Sequence, residues 1–103
     1  MNHVNLIGKM SSHPKIIELT NGRKIIRFTI ATEETYLDEQ GNNKTRFNWH
    51  RVTAWGNWVQ VINSLLTIGM EVAIEGKLVS RFYKIGGTPK YIHEVEVNDL
   101  VIL

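Results

Sequence analysis

The sequence contains no cysteine, so a disulfide framework, a thiolate zinc site and a nucleophilic thiol are all excluded. It also lacks any apolar stretch close to the ~18–20 residues that a membrane-spanning helix needs. The first ten residues, MNHVNLIGKM, have neither the basic start nor the long apolar run of a signal peptide. We therefore expect a cytoplasmic protein without a membrane span.

Signatures of catalysis are missing as well. His93-Glu94 begins the zinc-protease motif H-E-x-x-H, but Val97 stands where the second histidine would be. There is no G-x-S-x-G motif and no phosphate-cradling glycine loop. The four histidines, His3, His13, His50 and His93, lack the spacing of metal ligands. We expect no enzyme, no metal or other cofactor, and no small-molecule substrate.

The 103 residues, 43% of them hydrophobic, fit one compact domain over residues 1–103. A domain of this size buries only about 60–68% of its unfolded surface, so association between copies would help, and we expect an oligomer. The formal net charge is +2. Residues 1–52 hold eight basic and five acidic side chains, and residues 53–103 hold four and five. The excess positive charge therefore lies in the first half, which permits polyanion binding without requiring it.

Hydrophobic spacing predicts five strands and one helix. Asn21-Gly22 predicts a tight hairpin turn between the segment Lys15–Thr20 and the strand that follows. Gly41-Asn42-Asn43 marks the tip of a long polar loop over Thr35–Lys44. Gly76 marks a curl within a later strand. The order of elements favours an all-β, five-stranded OB-fold barrel with one short helix between the third and fourth strands. The predicted strands are Asn2–Met10, Lys24–Glu34, Thr45–Trp55, Val72–Lys84 and Tyr91–Leu103; the helix is Asn57–Thr67, with Asn57 capping its start and Gly69 closing its end.

The third strand carries the strongest functional pattern. One face presents Phe47, Trp49, Arg51, Thr53 and Trp55, whereas Val52 and Ala54 on the other face suit a barrel interior. The first face cannot all be core without burying the charge of Arg51, which is costly. Exposed rings alternating with cations suit unpaired nucleotides, because each base can stack on an aromatic ring for about 1–3 kcal/mol. The alternative that Trp49 and Trp55 pack a subunit interface stays open.

Other residues of the same chemical types lie beyond this strand. Tyr36 stands at the root of the long loop and Arg46 on its far side, while Arg81, Tyr83 and Lys84 approach the predicted Gly86-Gly87 turn. Tyr36 could instead anchor the loop, and Lys84 could be an ordinary solvated charge. Phe82, opposite in phase to Tyr83, is expected in the core, and Trp58 is expected to pack the helix onto the barrel.

Three segments, Val4-Asn5-Leu6-Ile7-Gly8, Trp49-His50-Arg51-Val52 and Ile74-Glu75-Gly76-Lys77-Leu78, together resemble the bacterial single-stranded DNA-binding (SSB) proteins. The resemblance covers nearly the whole chain. It implies an OB barrel, a homotetramer built as a dimer of dimers, and single-stranded DNA as the partner, wrapped without sequence preference.

Residue by residue, the resemblance makes Tyr36, Trp49, Trp55 and Tyr83 base-stacking residues and Arg51 a phosphate contact. Trp55 replaces a usual Phe, and Tyr36 and Tyr83 stand where Trp is common. The resemblance places His50, with Val4 and Leu6, at a subunit interface. SSB proteins usually continue into a flexible linker and an acidic tip that recruits enzymes; the sequence ends at Leu103, so recruitment through such a tip is not predicted.

The leading function is therefore coating of single-stranded DNA in replication, recombination and repair. The main alternative is an adapter, resembling the primosome relatives of SSB, that mainly docks proteins. An RNA-binding barrel of the cold-shock type is a further alternative, because stacking alone does not distinguish deoxyribose from ribose.

Overall fold

Five long strands close into a barrel in the computed structural model, which describes residues 1–19 and 21–103, with the side chains of 83–85 outside the description. The sheet order is β1-β5-β6-β4-β3-β2, and β1 also pairs with β3, which closes the barrel. The elements are β1 Val4–Met10, β2 Lys15–Glu18, β3 Lys24–Leu37, β4 Asn43–Trp55, α1 Asn57–Leu65, β5 Glu71–Ile85 and β6 Thr88–Ile102. The predicted OB-fold barrel is confirmed; β2 is a four-residue addition at the edge of β3.

Alternating side chains build the barrel core. Ile26, Phe28 and Ile30 of β3 point inward beside Val52 and Ala54 of β4, and all five are almost fully buried. Fully burying a side chain of the Ile or Phe type contributes about 1.5–3 kcal/mol, so these positions account for much of the stability of the barrel. The alternate positions of the same strands face outward, and the functional side chains lie there.

The helix lies against this core, as expected. Ile62 is buried and Trp58 is packed, partly buried, against the core cluster. The predicted cap is wrong: Gly56, with φ of 61°, is the N-cap, and Asn57 is already the first helical residue. Only glycine accepts this φ readily, so the chain uses Gly56 to turn sharply from β4 into α1. The helix ends at Leu65, and Gly69 lies in the turn that follows it.

Gly76 marks the predicted curl. The register between β5 and β6 shifts between Glu75 and Gly76, which is the signature of a β-bulge. A Cβ at Gly76 would collide with the backbone carbonyl oxygen of Glu96. The close approach of two backbones thus requires glycine here.

Two hairpins extend well beyond the barrel and give the molecule a length of 54 Å. The β3–β4 pairing continues to Leu37 and Asn43, so the loop predicted over Thr35–Lys44 is wrong in extent. Only a short turn remains, in which the Asp38 carboxylate accepts hydrogen bonds from the backbone N–H groups of Gln40 and Asn42 at 3.0 and 2.8 Å. A side chain that satisfies the turn N–H groups lets the strands pair almost to the tip.

The second hairpin joins β5 to β6, with register from Val72↔Ile102 to Ile85↔Thr88. Phe82 is 54% exposed, so its expected place in the core is wrong. This part of the hairpin lies beyond the barrel, and its described residues at positions 82 and 86–91 are exposed. Within the described residues, no helix has the length and apolar character needed to cross a bilayer.

Candidate nucleic-acid interface

The outward face of β4 forms an aromatic ribbon of Phe47, Trp49, Arg51 and Trp55. Trp49 is 67% exposed and Phe47 is 52% exposed, with their ring centroids 6.3 Å apart. Arg51 and Trp55 are half-buried. The ribbon thus runs from open rings on the projecting hairpin to a partly covered ring at the barrel wall.

Thr53 lies in the same phase but does not belong to the ribbon. It is fully buried, contrary to the expectation that it shares an exposed face. The register places Arg27 of β3 on one side of Thr53 and Glu96 of β6 on the other, so two longer side chains flank it. A short residue between long charged neighbours is buried even on the outside of a sheet.

Two arginines flank Trp55. The guanidinium carbon of Arg23 lies 4.7 Å from the ring centroid and that of Arg81 lies 5.4 Å from it. Both distances are within the range of cation–π attraction. Beside the ring is a groove of about 450 Å³ whose lining includes Arg23, Lys24, Trp55 and Asn57. Arg23 and Lys24 thus give this end of the ribbon positive charge suited to a phosphate next to a stacked base.

Arg23 and Lys24 were absent from the predicted site. The signal was present in the sequence, because two basic residues directly follow the Asn21-Gly22 turn. The turn brings β3 back with Ile25 opposite Trp55, and this register sets Arg23 beside the ring. The sequence predicts the turn but not the register, so the contact was not foreseen.

An ion network centred on the buried Glu94 lies beside Trp55. Glu94 is 1% exposed and accepts hydrogen bonds from Arg27 Nη2 on Oε1 at 2.8 Å and from Arg81 Nε on Oε2 at 3.0 Å. Arg81 Nη2 also donates to Glu96 Oε2 at 3.2 Å. The predicted DNA contact Arg81 is therefore placed beside Trp55 with its charge matched by two carboxylates.

The opposite face of the β3–β4 hairpin carries a second set of predicted residues. The guanidinium of Arg46 lies 4.6 Å from the Tyr36 ring centroid. Its Nε and Nη2 donate to Glu34 Oε2 and Oε1 at 3.1 and 3.2 Å. These hydrogen bonds from Arg46, helped by one from Asn48, lower the pKa of Glu34. Tyr36 and Arg46 are thus together, but apart from Trp49 and with the arginine already paired.

The β5–β6 hairpin was predicted to supply Arg81, Tyr83 and Lys84. The backbone of β5 includes all three, but the side chains of Tyr83 and Lys84 lie outside the described residues. Phe82 and Tyr91 face each other across this hairpin, with centroids 5.2 Å apart and exposures of 54% and 73%. They form a separate exposed aromatic pair, which the alternation of β5 did not predict because it assigned Phe82 to the core.

The residues predicted at a subunit interface occupy two places. Val4 and Leu6 are partly buried against the core, so the outward positions of β1 are Asn5 and Ile7. His50 is half-buried and its Nε2 lies 2.8 Å from Thr32 Oγ1. An apolar groove of about 550 Å³ crosses the outer side of β1, β5 and β6; its lining includes Ile7, Ala73 and Val101. These placements leave the interface role a prediction.

The geometry suits the binding of flat and negatively charged groups. Exposed rings can stack on flat groups, and neighbouring guanidinium groups can neutralise phosphates. In the described part of the chain, no group of three His, Asp or Glu side chains is arranged to hold a metal ion.

A comparison with protein families matches the single-strand binding protein family over residues 1–103. Among curated proteins, single-stranded DNA-binding protein 1 of Chlorobaculum tepidum is 35% identical over 105 residues, covering all of this chain. The chain spans 65% of the length of that relative.

Two solved structures are similar along the full length of the chain. A Plasmodium falciparum SSB in complex with ssDNA has 32% identity and a TM-score of 0.86, and 95% of that chain is covered. A deletion mutant of the single-stranded DNA-binding protein from Thermus aquaticus has 26% identity and the same TM-score, with 50% of that chain covered. The shared backbone therefore includes the barrel and both hairpins.

Proposed function

Because the chain belongs to the single-strand binding protein family, we propose that it binds single-stranded DNA without sequence preference. It coats and protects unpaired strands in replication, recombination and repair, and acts as a non-enzymatic binder. Such a role belongs where the DNA is, which we propose is the cytoplasm. Residues 1–103 act as one OB-fold domain in this proposal.

The observation that carries the proposal is the exposure of Trp49 beside Phe47 on a strand that also presents Arg51. Two large rings, 67% and 52% exposed, are an unusual apolar surface to leave in water. Unpaired bases cover such rings by stacking, at about 1–3 kcal/mol per base, and every base has a flat face. Duplex DNA keeps these faces inside the stack, so the ribbon selects single strands and tolerates any sequence.

Arg51 is the proposed phosphate contact of the ribbon. It forms no ion pair with a carboxylate in the described part of the chain. Its charge is therefore available to a nucleotide stacked at Trp49 or Trp55. On a single strand each neutralised phosphate contributes about 0.7 to the slope of log affinity against log salt concentration. Tyr36, Arg46, Tyr83 and Lys84 extend the proposed path along the two hairpins.

We also propose that the protein acts as a homotetramer, a dimer of dimers, as SSB proteins do. The outer side of β1 and β6 supports this, because Ile7 and Val101 are 64% and 53% exposed beside the apolar groove. The edge of β1 over Val4–Gly8 is paired only with β5 among the described strands. A partner subunit would cover both the edge and the groove, while leaving the ribbon open.

Quenching of tryptophan fluorescence by poly-dT tests the proposal. Stacking at Trp49 and Trp55 predicts strong quenching that saturates at a fixed ratio of nucleotides to protein. An adapter that mainly docks proteins predicts weak quenching without a stoichiometric end point. That alternative is not favoured, since the relatives described above are named for binding single-stranded DNA. Poly-U in place of poly-dT distinguishes the RNA alternative, for which quenching by poly-U would be the stronger.

A further inference from the structure

Glu94 is the one charged side chain that the described residues bury almost completely, at 1% exposure. It points to the outer wall of the barrel, because its neighbours Val95 and Val97 fill the core phase of β6. A carboxylate removed from water is costly unless charged partners compensate it. Water cannot stabilise the charge of Glu94 at this position, so its charged partners must do so.

The partners of Glu94 come from different strands. Arg27 of β3 and Arg81 of β5 contact its two oxygens at 2.8 and 3.0 Å, and each arginine side chain is only 24% exposed. Arg81 in addition reaches Glu96 at 3.2 Å. The planar guanidinium of Arg81 is thus held by two carboxylates at once, which fixes its plane as well as its position.

Arg81 is fixed beside a ring of the proposed interface. Its guanidinium carbon lies 5.4 Å from the centroid of Trp55, and that ring is half-buried. A phosphate approaching Arg81 would also approach Glu94 and Glu96, which repel it. The charge of Arg81 is hence poorly placed for neutralising DNA, but its fixed plane is well placed for holding the ring.

We propose that Glu94 is a positioning residue for DNA binding: its carboxylate fixes Arg81 against Trp55, and Arg81 supports stacking at Trp55 instead of contacting a phosphate. This inference rests on the proposed function. It changes the role of Arg81 from the phosphate contact suggested by its residue type to a support for an aromatic ring. Arg51, on the same side of the barrel and without a described carboxylate partner, keeps the phosphate role.

The decisive variant is Arg81→Met, which keeps an apolar stem of similar length and leaves Glu94 paired with Arg27, with Arg51→Met as the matched control. Affinity for an oligo-dT strand is measured across a series of salt concentrations. Arg81→Met should weaken binding about 3- to 10-fold, part of the roughly 5- to 150-fold that one stacked base represents. The salt slope should not change. Arg51→Met should lower the slope by about 0.7.

A double-mutant cycle identifies the route of the effect. In a Trp55→Ala background, Arg81→Met should cause no further loss, because its effect passes through the ring. Arg81→Lys should be as weak as Arg81→Met, since lysine keeps the charge but cannot bridge Glu94 and Glu96 with a planar fork. A lowered slope for Arg81→Met, an additive loss in the Trp55→Ala background, or full affinity for Arg81→Lys would each overturn the inference.

The free protein gives an independent readout. Arg81→Met and Glu94→Gln should both change the near-ultraviolet circular dichroism of tryptophan without DNA, while the far-ultraviolet spectrum stays unchanged for Arg81→Met. If Glu94→Gln fails to fold, the near-ultraviolet spectrum of Arg81→Met alone tests whether Arg81 fixes the ring. An unchanged near-ultraviolet spectrum for Arg81→Met contradicts the positioning role even if DNA binding is weakened. Failure of the wild-type protein to bind oligo-dT instead contradicts the proposed function.

Discussion

Substitution of Glu34 by glutamine should strengthen the binding of single-stranded DNA. Glu34 holds Arg46 through two hydrogen bonds of 3.1 and 3.2 Å on the face of the hairpin that carries Tyr36. Both side chains are exposed, at 49% and 56%. A solvent-exposed pair of this kind matters little to folding, so the variant should fold normally. What changes is the charge available to DNA, because the negative group that competes with phosphates for Arg46 is removed.

The size of the effect follows from the number of phosphate contacts. One additional contact on a single strand steepens the slope of log affinity against log salt concentration by about 0.7. Between 200 and 50 mM salt, a fourfold change, this corresponds to about 2.6-fold in affinity. Glu34→Gln should therefore bind oligo-dT more tightly than the wild type, and its advantage should be about 2.6-fold larger at 50 mM than at 200 mM salt.

The matched control is Glu39→Gln, which removes the same charge from the tip of the same hairpin, where Glu39 has no described ion-pair partner. The two variants and the wild type are titrated with oligo-dT at four salt concentrations, with fluorescence quenching as the signal. Equal slopes for Glu34→Gln and Glu39→Gln would refute the release of Arg46. Only a general charge effect would then remain.

The pH dependence provides a second check on this pair. Arg46, and to a lesser degree Asn48, holds the pKa of Glu34 below its ordinary value of 4.5. Glu34 is therefore ionised throughout the neutral range, and its pairing with Arg46 is lost only as the pH falls through its lowered pKa. The difference between Glu34→Gln and the wild type should be the same at pH 6 and pH 8, and a difference that varied between them would point to another titrating group.

Three further substitutions test other parts of the account. Trp49→Ala should weaken oligo-dT binding by about 1–3 kcal/mol and leave the far-ultraviolet circular dichroism unchanged, because the side chain is 67% exposed; unfolding would assign the ring to the core. His50→Ala should lower the mass of the assembly in light scattering at low concentration, and an unchanged mass would argue against an interface role. Gly76→Ala should reduce the free energy of unfolding by about 1–3 kcal/mol, since its Cβ would strike the Glu96 carbonyl; an unshifted urea midpoint would contradict this.

Much of the fold could be predicted because its signals are local. Alternation assigned the inward phase of β3 and β4, and the order of strands around one helix predicted the barrel. The same alternation placed Trp49 and Phe47 outside. The full length of the β3–β4 hairpin was not predicted, because the polar residues around Tyr36 and Lys44 have the composition of a loop although their backbones pair.

The partners of the site residues were beyond prediction. Arg46 pairs with Glu34 only because the hairpin register sets them opposite each other. Glu94 and Arg27 are 67 residues apart in the sequence, and they come into contact only because three strands lie side by side in the wall of the barrel. Alternation predicts which face of the sheet a side chain lies on, but not which charged residue of a neighbouring strand lies beside it. The sequence therefore predicted the residue types of the interface and left open which cations are available to DNA.

The most direct test compares the affinity of the wild-type protein for poly-dT and for duplex DNA of the same length, at low and at high salt. Stacking on the aromatic ribbon predicts tight binding to poly-dT that weakens as salt rises, and far weaker binding to the duplex under every condition. Equal affinity for the two would contradict base stacking on the aromatic ribbon, because phosphate contacts alone would then explain the binding.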